Sequence, residues 1–538
     1  PELRYFALGL ITEHDLESAA VPAVVKRLVS GLCDGSELDR NYQACSAALT
    51  RLGERAIGQL LESLADATET GQRRLVDLIG HLLREGTESQ FPPSRASIEE
   101  ATTTLANLYG QASLEICTAL LESKFYEHEY IAENTLEIAS NSFVDSMHEF
   151  RFERQIELVQ TALAKCGQPA LQALTIALLE SSHDVTRLAA TTLLPLLVEK
   201  LPDVTGPQLQ ELAGKFQSIL DDEESDFPSR GPVLIALGRV CAHKNSPAKQ
   251  ANEISEYLRE LVGSSSSVYD NLEAIGWLAA GENLDSNQRL ECGYVLLNVL
   301  KKGLPGLSGR IRKNEEGEEV LHFGRETTAY TDMIPRILEG LGRLLATDKT
   351  PEILFESISD ELVRIWTEIT DYKRIWAPAA VMSLARLLGE IARSDRTELK
   401  KVESIAELLA RKLILLPVLQ VISSLAIREF DSERMNKLAL KVFNELHKRL
   451  SEEPAPDVVE RRQILQTMTG IAKREKIGER AKDIEQARRV TVESLFDALR
   501  DKIFVAKTLL LELSESGKLS EKQSSEIERR LKPSARKG

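Results

Sequence analysis

Eight histidines, at 14, 81, 128, 148, 183, 243, 322 and 447, are the first residues to weigh for metal or acid–base chemistry. Their spacing offers little. No His-x-x-x-His pair occurs, and Cys241 with His243 supplies two donors where a structural zinc needs four. The six cysteines, at 33, 45, 117, 166, 241 and 292, form no Cys-x-x-Cys pair and read as small buried apolar residues in a reducing compartment. Asp221, Asp222, Glu223, Glu224 and Asp226 have the acidity of a calcium loop. They lack its mid-loop glycine and its terminal bidentate glutamate, so a solvated turn is expected. Gly303, Gly306 and Gly309 bunch as in a phosphate-binding loop, yet no Gly-Lys-Ser/Thr follows them and no helix opens there. No Gly-x-Ser-x-Gly elbow, kinase set or dinucleotide fingerprint is present, and the expectation is no catalytic residue, no cofactor and no metal.

Such motifs mostly need a strand-to-turn junction, and the elements of this chain are of another kind. Across 538 residues, aromatic side chains make up 5%, which suits helical arrays filled by Leu, Ile, Ala and Val better than sandwiches or barrels. The stretch Gly167 to Lys200 states the unit most clearly. Leu171, Leu174, Leu178 and Leu179 recur at helical spacing in a first helix, with Gln172 and Glu180 turned away. Ser181 to Asp184 interrupt the period, Asp184 is placed to cap a second helix, and Pro195 is expected to kink it. With Pro169 opening the first helix, Asp184, Val185 and Arg187 at the turn, and Ala190 and Leu194 in the second, the stretch resembles a HEAT repeat. That resemblance implies an all-α, curved α-solenoid of stacked helical hairpins (HEAT/ARM-like). It also implies a protein-binding scaffold, the role most HEAT proteins have.

Repetition is visible at longer range. Gly53, Gly110 and Gly167 stand 57 residues apart, each between two apolar helical patterns, and Leu-Leu-Glu-Ser follows each at Leu60, Leu120 and Leu178. That interval exceeds the roughly 40 to 47 residues of HEAT or armadillo units and suggests three helices per period, or one and a half hairpins. The extra helices are expected at Ile98 to Tyr109 and along Phe150, Phe152, Ile156, Val159 and Leu163. Beyond Leu201 the pattern loosens. A helix from Leu272 to Ala279 carries Gly276, which permits close approach by a neighbour, and Gly340 to Leu345 is echoed 43 residues later by Ser383 to Leu388. Trp366 and Trp376 flank a turn at Asp371 and are expected to pack an inter-helix corner.

Gly303 to Tyr330 breaks the helical rule. Arg310 to Lys313 and Glu319 to Phe323 flank a Glu-Glu-Gly turn and read as a short β-hairpin or a tongue without fixed structure. The resulting division is 1–303 as an N-terminal solenoid, 304–330 as the insertion, 331–455 as continued solenoid, and 456–538 as a C-terminal helical cap. A linker is expected at Glu452 to Asp457, and a basic tail at Lys532 to Lys537.

The formal net charge is −16. Residues 456–538 hold 19 Lys and Arg against 14 Asp and Glu, a net of +5, which leaves −21 for the rest. This opposes phosphate binding by the bulk of the surface, since such binding rests on Lys and Arg. Some HEAT-like proteins act on DNA bases from a basic groove, and Tyr126, Tyr130 and Trp277, with Glu127 or Asp270, could serve as stacking and acid residues. They lack clustered Arg or Lys, and packing accounts for them better. No run approaches eighteen uncharged apolar residues, so no membrane span is expected. Tyr5 to Ile11 lacks a signal-peptide cleavage site, and a cytoplasmic location is expected. Two function classes stand: a non-enzymatic scaffold or regulatory subunit gripping a protein partner, and a nucleic-acid-binding repeat protein. For the first, Arg310, Arg312, Lys313 and Phe323 on the insertion are the candidate partner contacts.

Overall fold

The computed structural model describes residues 21–531 apart from 35–39, 86–91, 149–152, 223–226, 263–267, 304–307, 314–318, 323–326, 371–374, 377, 411–420, 423–424, 428–431, 452–455, 479–480, 502 and 504. These residues are almost all helical, and the chain divides into two compact units, Pro1–Ala251 and Asn252–Gly538. No described helix is long and apolar enough to cross a membrane.

Unit 1 runs through α1 (Val21–Asp34), α2 (Arg40–Leu52), α3 (Glu54–Leu64), α4 (Glu69–Glu85), α5 (Arg95–Tyr109), α6 (Leu114–Ser123), α7 (Glu133–Ser146), α8 (Glu153–Cys166), α9 (Gln168–Glu180), α10 (Asp184–Lys200), α11 (Gly206–Asp221) and α12 (Arg230–Ala242). A further helix, α13 (Ala248–Leu261), contains the division between the units. Period 3.6 dictates the faces. In α3, Ala56, Ile57, Leu60, Leu61 and Leu64 are buried while Arg55, Gly58 and Glu62 face water. From α3 onward helices pack on their next-but-one neighbours, so α3, α5, α7 and α9 make one layer and α4, α6, α8, α10 and α12 the other. This is the stacking of an α-solenoid built from HEAT-like hairpins.

The repeat length follows from the bonds between successive hairpins. Arg73 pairs with Glu115, Gln208 with Gln168, and Arg239 with Glu199, at sequence separations of 42, 40 and 40. In unit 2 the corresponding separations are 44 for Arg396 with Glu352, 40 for Arg461 with Asp501 and 39 for Lys473 with Glu512. The structural unit is therefore a two-helix hairpin of roughly 40 residues. The 57-residue interval counts three helices, one and a half hairpins. Its glycines are not equivalent: Gly53 and Gly167 open helices at φ 52° and 70°, whereas Gly110 follows α5 at φ −66°. Only the first two need the left-handed region.

One local expectation changes. His183, not Asp184, is the N-cap of α10, and Asp184 lies in its first turn, where its charge still opposes the helix dipole. The helix continues through Pro195 to Lys200.

Unit 2 contains α14 (Val268–Ala280), α15 (Ser286–Gly303), α16 (Thr327–Ala346), α17 (Glu352–Thr370), α18 (Pro378–Arg393), α19 (Leu399–Ala410), α20 (Glu433–Leu450), α21 (Val458–Ala472), α22 (Ala481–Arg500), α23 (Val505–Glu515) and α24 (Glu521–Leu531). The chain past Leu201 is more regular than its sequence suggests. After α12, α16 and α18 the same turn recurs, with Ser246 N–H donating to His243 O, Thr350 to Thr347 and Thr397 to Ser394. The hydroxyls of Thr350 and Thr397 donate back to Leu344 O and Ile391 O, satisfying carbonyls at helix ends. Helices α14 and α16 meet at Gly276 and Gly340, as the glycine in α14 suggests. A Cβ at Gly276 would lie 2.5 Å from the Gly340 Cα. Asp457 caps α21 by accepting from Glu460 N–H at 2.8 Å, and α22 to α24 close the unit around Leu495, Leu510, Leu513 and Ile527.

Between α15 and α16, β1 (Ser308–Lys313) pairs antiparallel with β2 (Glu319–His322) in the register Arg310 to His322 and Lys313 to Glu319. A two-residue strand, β3 (Ile375–Trp376), pairs with Ser308 and Gly309. Helix α16 starts at Thr327, four residues earlier than its periodicity indicates, because Thr327 to Tyr330 extend its first turn. Trp366 is fully buried and donates its Nε1–H to Leu408 O at 3.2 Å, as a corner-packing residue should. Trp376 instead lies on a strand. The insertion joins the unit's remaining described elements through that short ladder, so exchanging Arg310 to Phe323 for a Gly-Ser loop is expected to cost about 1 kcal/mol or less. Thermal melting followed by circular dichroism checks this. A large drop would place Ile311, Val320 and Phe323 in the core.

Candidate partner-binding surface

The residues that could have stacked or protonated a nucleobase are engaged otherwise. Tyr126 is buried, donates its hydroxyl to Leu121 O and packs edge-on against Phe125 and Phe143. Burial pushes its phenol well above the usual tyrosine range. Tyr130 is exposed beneath the Arg95 guanidinium, and Glu127 is within 3.8 Å of Lys124. In unit 2, Arg343 stacks 3.8 Å from the Trp277 ring, and Asp270 is ion-paired with Arg336. These are packing and surface roles.

Among the described residues no group of three or more His, Cys, Asp or Glu is placed to hold a metal ion. Cys241 is buried and His243 caps the C-terminus of α12, its Nδ1 accepting from Asn245 N–H at 3.1 Å. Burial raises the thiols of Cys241 and Cys292 to about 12 and that of Cys166 to about 11. These three are therefore expected to resist iodoacetamide at pH 8 until the chain unfolds. Mass-spectrometric counting of alkylated thiols with and without urea checks it, and rapid native labelling of Cys241 would contradict it.

The predicted contacts Arg310, Arg312 and Lys313 lie on β1, with Arg312 opposite Val320 in the backbone register. Phe323 lies outside the described residues.

Two exposed apolar sites that the sequence did not single out are built by α8 to α11. Helix α9 buries Ala170, Leu171, Ala173, Leu174, Ala177 and Leu178, which covers one face completely. Two more apolar residues, Ile176 and Leu179, fall on the opposite face and are 53% and 43% exposed. Leu179 thus leaves the buried stripe to which its spacing assigns it. Ile156 on α8 is likewise 43% exposed, while Val159 and Leu163 beside it are buried. Val185, at the start of α10, is 55% exposed. Of the large apolar residues exposed among the described part of unit 1, these four share three consecutive helices. Three of them fall in two sets, Ile176 on the α9 side and Ile156 with Val185 on the α8 and α10 side, and exposed apolar residues that line a cleft mark an interaction site more often than singly scattered ones.

Two clefts accompany them. Helices α9 and α11 touch at their first turns, where Gln208 donates to Gln168 at 3.1 Å, and beyond that point a cleft of about 320 Å³ opens between them. Leu171, Ile176, Val198, Leu209 and Leu212 line it together with Glu211 and Lys215, which pair at 2.7 Å. In the other layer, a cleft of about 230 Å³ lies between α8 and α10, lined by Ile156, Val159, Val185, Ala189 and Leu193. The rings of His148 and His183, the sequence neighbours of Met147 and Asp184, stack 4.1 Å apart.

Charge separates the units. Residues 1–251 hold 21 Lys and Arg against 36 Asp and Glu, a net of −15, and residues 252–538 hold 46 against 47, a net of −1. The acidity of this protein therefore belongs to the unit that carries the clefts. A sign for the surface was present in the sequence: α9 has apolar residues around nearly its whole circumference, which a helix with one exposed face does not need.

No family model matches the chain, and no curated protein matches it. Solved structures do. A crystal structure of Kap121p bound to Ste12p is 13% identical, with 98% of this chain and 54% of that one covered at a TM-score of 0.39. Importin beta crystallised in ammonium sulfate is 12% identical, with 99% of this chain and 80% of that one covered at a TM-score of 0.39. A homology model of the full-length AP-3 complex is 12% identical, with 98% and 86% covered at a TM-score of 0.36. This chain spans about half the length of Kap121p.

Proposed function

We propose that this chain is a non-enzymatic scaffold that holds a protein partner through unit 1. The observation that carries this is a pair of apolar clefts, one lined by exposed Ile176 and the other by exposed Ile156 and Val185, in a unit of net charge −15. Apolar side chains supply the affinity, and the charge steers a partner with a basic or mixed face over about one Debye length, ~8 Å at physiological salt. A phosphate backbone would be repelled by the same charge. The insertion is a second contact in this reading, with Arg310, Arg312, Lys313 and Phe323 as its contributors.

The test pairs two measurements on the full chain. Binding to random-sequence single- and double-stranded DNA and RNA is expected to be negligible at physiological salt, and a protein is expected to be recovered from native extract of the source cells. Replacing Arg310 to Phe323 by a Gly-Ser loop is expected to weaken that recovery without abolishing it. Tight nucleic-acid binding that persists at physiological salt, with no protein recovered, overturns the proposal.

A further inference from the structure

We draw no further inference here: the strongest candidate, the apolar cleft between α8 and α10 lined by Met147, Ile156, Val159, Val185 and Leu193, belongs to the surface already described, and nothing in the structure shows what covers it.

Discussion

Replacing Arg289 by methionine is expected to destabilise unit 2 by about 3 kcal/mol, because three buried carbonyls would lose their donor together. The Arg289 side chain is 1% exposed. Its Nη1 donates to Ala279 O at 2.7 Å, and its Nη2 to Gly281 O and Leu284 O at 2.8 and 3.0 Å. Those oxygens belong to the end of α14 and the turn that follows it, where no later helical N–H is available. The negative end of the helix dipole favours the cation there, while burial pulls the guanidinium below its ordinary value. Methionine keeps much of the volume and removes every donor, so the loss reports the hydrogen bonds rather than a cavity. Lysine keeps the charge but cannot span three acceptors from one nitrogen, and is expected to cost roughly half as much. The sequence's three tryptophans, at 277, 366 and 376, all lie in unit 2, so urea unfolding followed by tryptophan fluorescence reads this unit selectively. An unchanged midpoint for the methionine variant would show that water replaces the guanidinium without loss.

Gly276→Ala is the second large effect, with an expected net loss of about 2 kcal/mol. In an ordinary helix the change would gain about 1 kcal/mol from propensity. Here the added Cβ would sit 2.5 Å from the Gly340 Cα, and a Cβ at Gly340 would sit 3.0 Å from the Gly276 Cα. Backbone, not a flexible side-chain tip, is the obstacle, so α14 and α16 must separate, and overpacking of that kind costs about 1–3 kcal/mol or more. Gly276→Val is expected to be worse. Gly58 and Gly214 are exposed helical glycines with nothing within 4 Å of an added Cβ. Alanine at either is expected to stabilise by up to about 1 kcal/mol. Urea unfolding followed by far-ultraviolet dichroism compares the four variants. If Gly276→Ala stabilised as much as Gly58→Ala, the close crossing of α14 and α16 would be refuted.

These two positions were unequally legible in the sequence. A glycine amid Leu272, Ile275, Leu278 and Ala279 signals a close neighbour by its lack of a side chain, although its partner, 64 positions onward, carries no mark of the pairing. Arg289 had no signal at all. An arginine in the first turn of a helix ordinarily faces water, and only the turn wrapped over it makes it a core residue.

Helical class, hairpin architecture and the absence of familiar catalytic patterns were determined by the sequence alone, since each is a matter of residue type at short spacing. Period 3.6 names the residues of each helix that are able to face a core, and for α3 that was sufficient. Repeat length and exposed surface were decided by tertiary structure. Whether Gly53, Gly110 and Gly167 mark one repeat depends on which helices they join, and the bonds between hairpins some 40 residues apart show that they do not. Likewise Leu179 and Ile156 have the spacing of buried residues and the exposure of surface ones. Burial is a property of the gap between two helices, and where a pair diverges, as α8 and α10 do beside Ile156, a cleft stays open. A local pattern cannot encode that divergence, because it is set by side chains about 40 positions away that meet only once the hairpins have stacked.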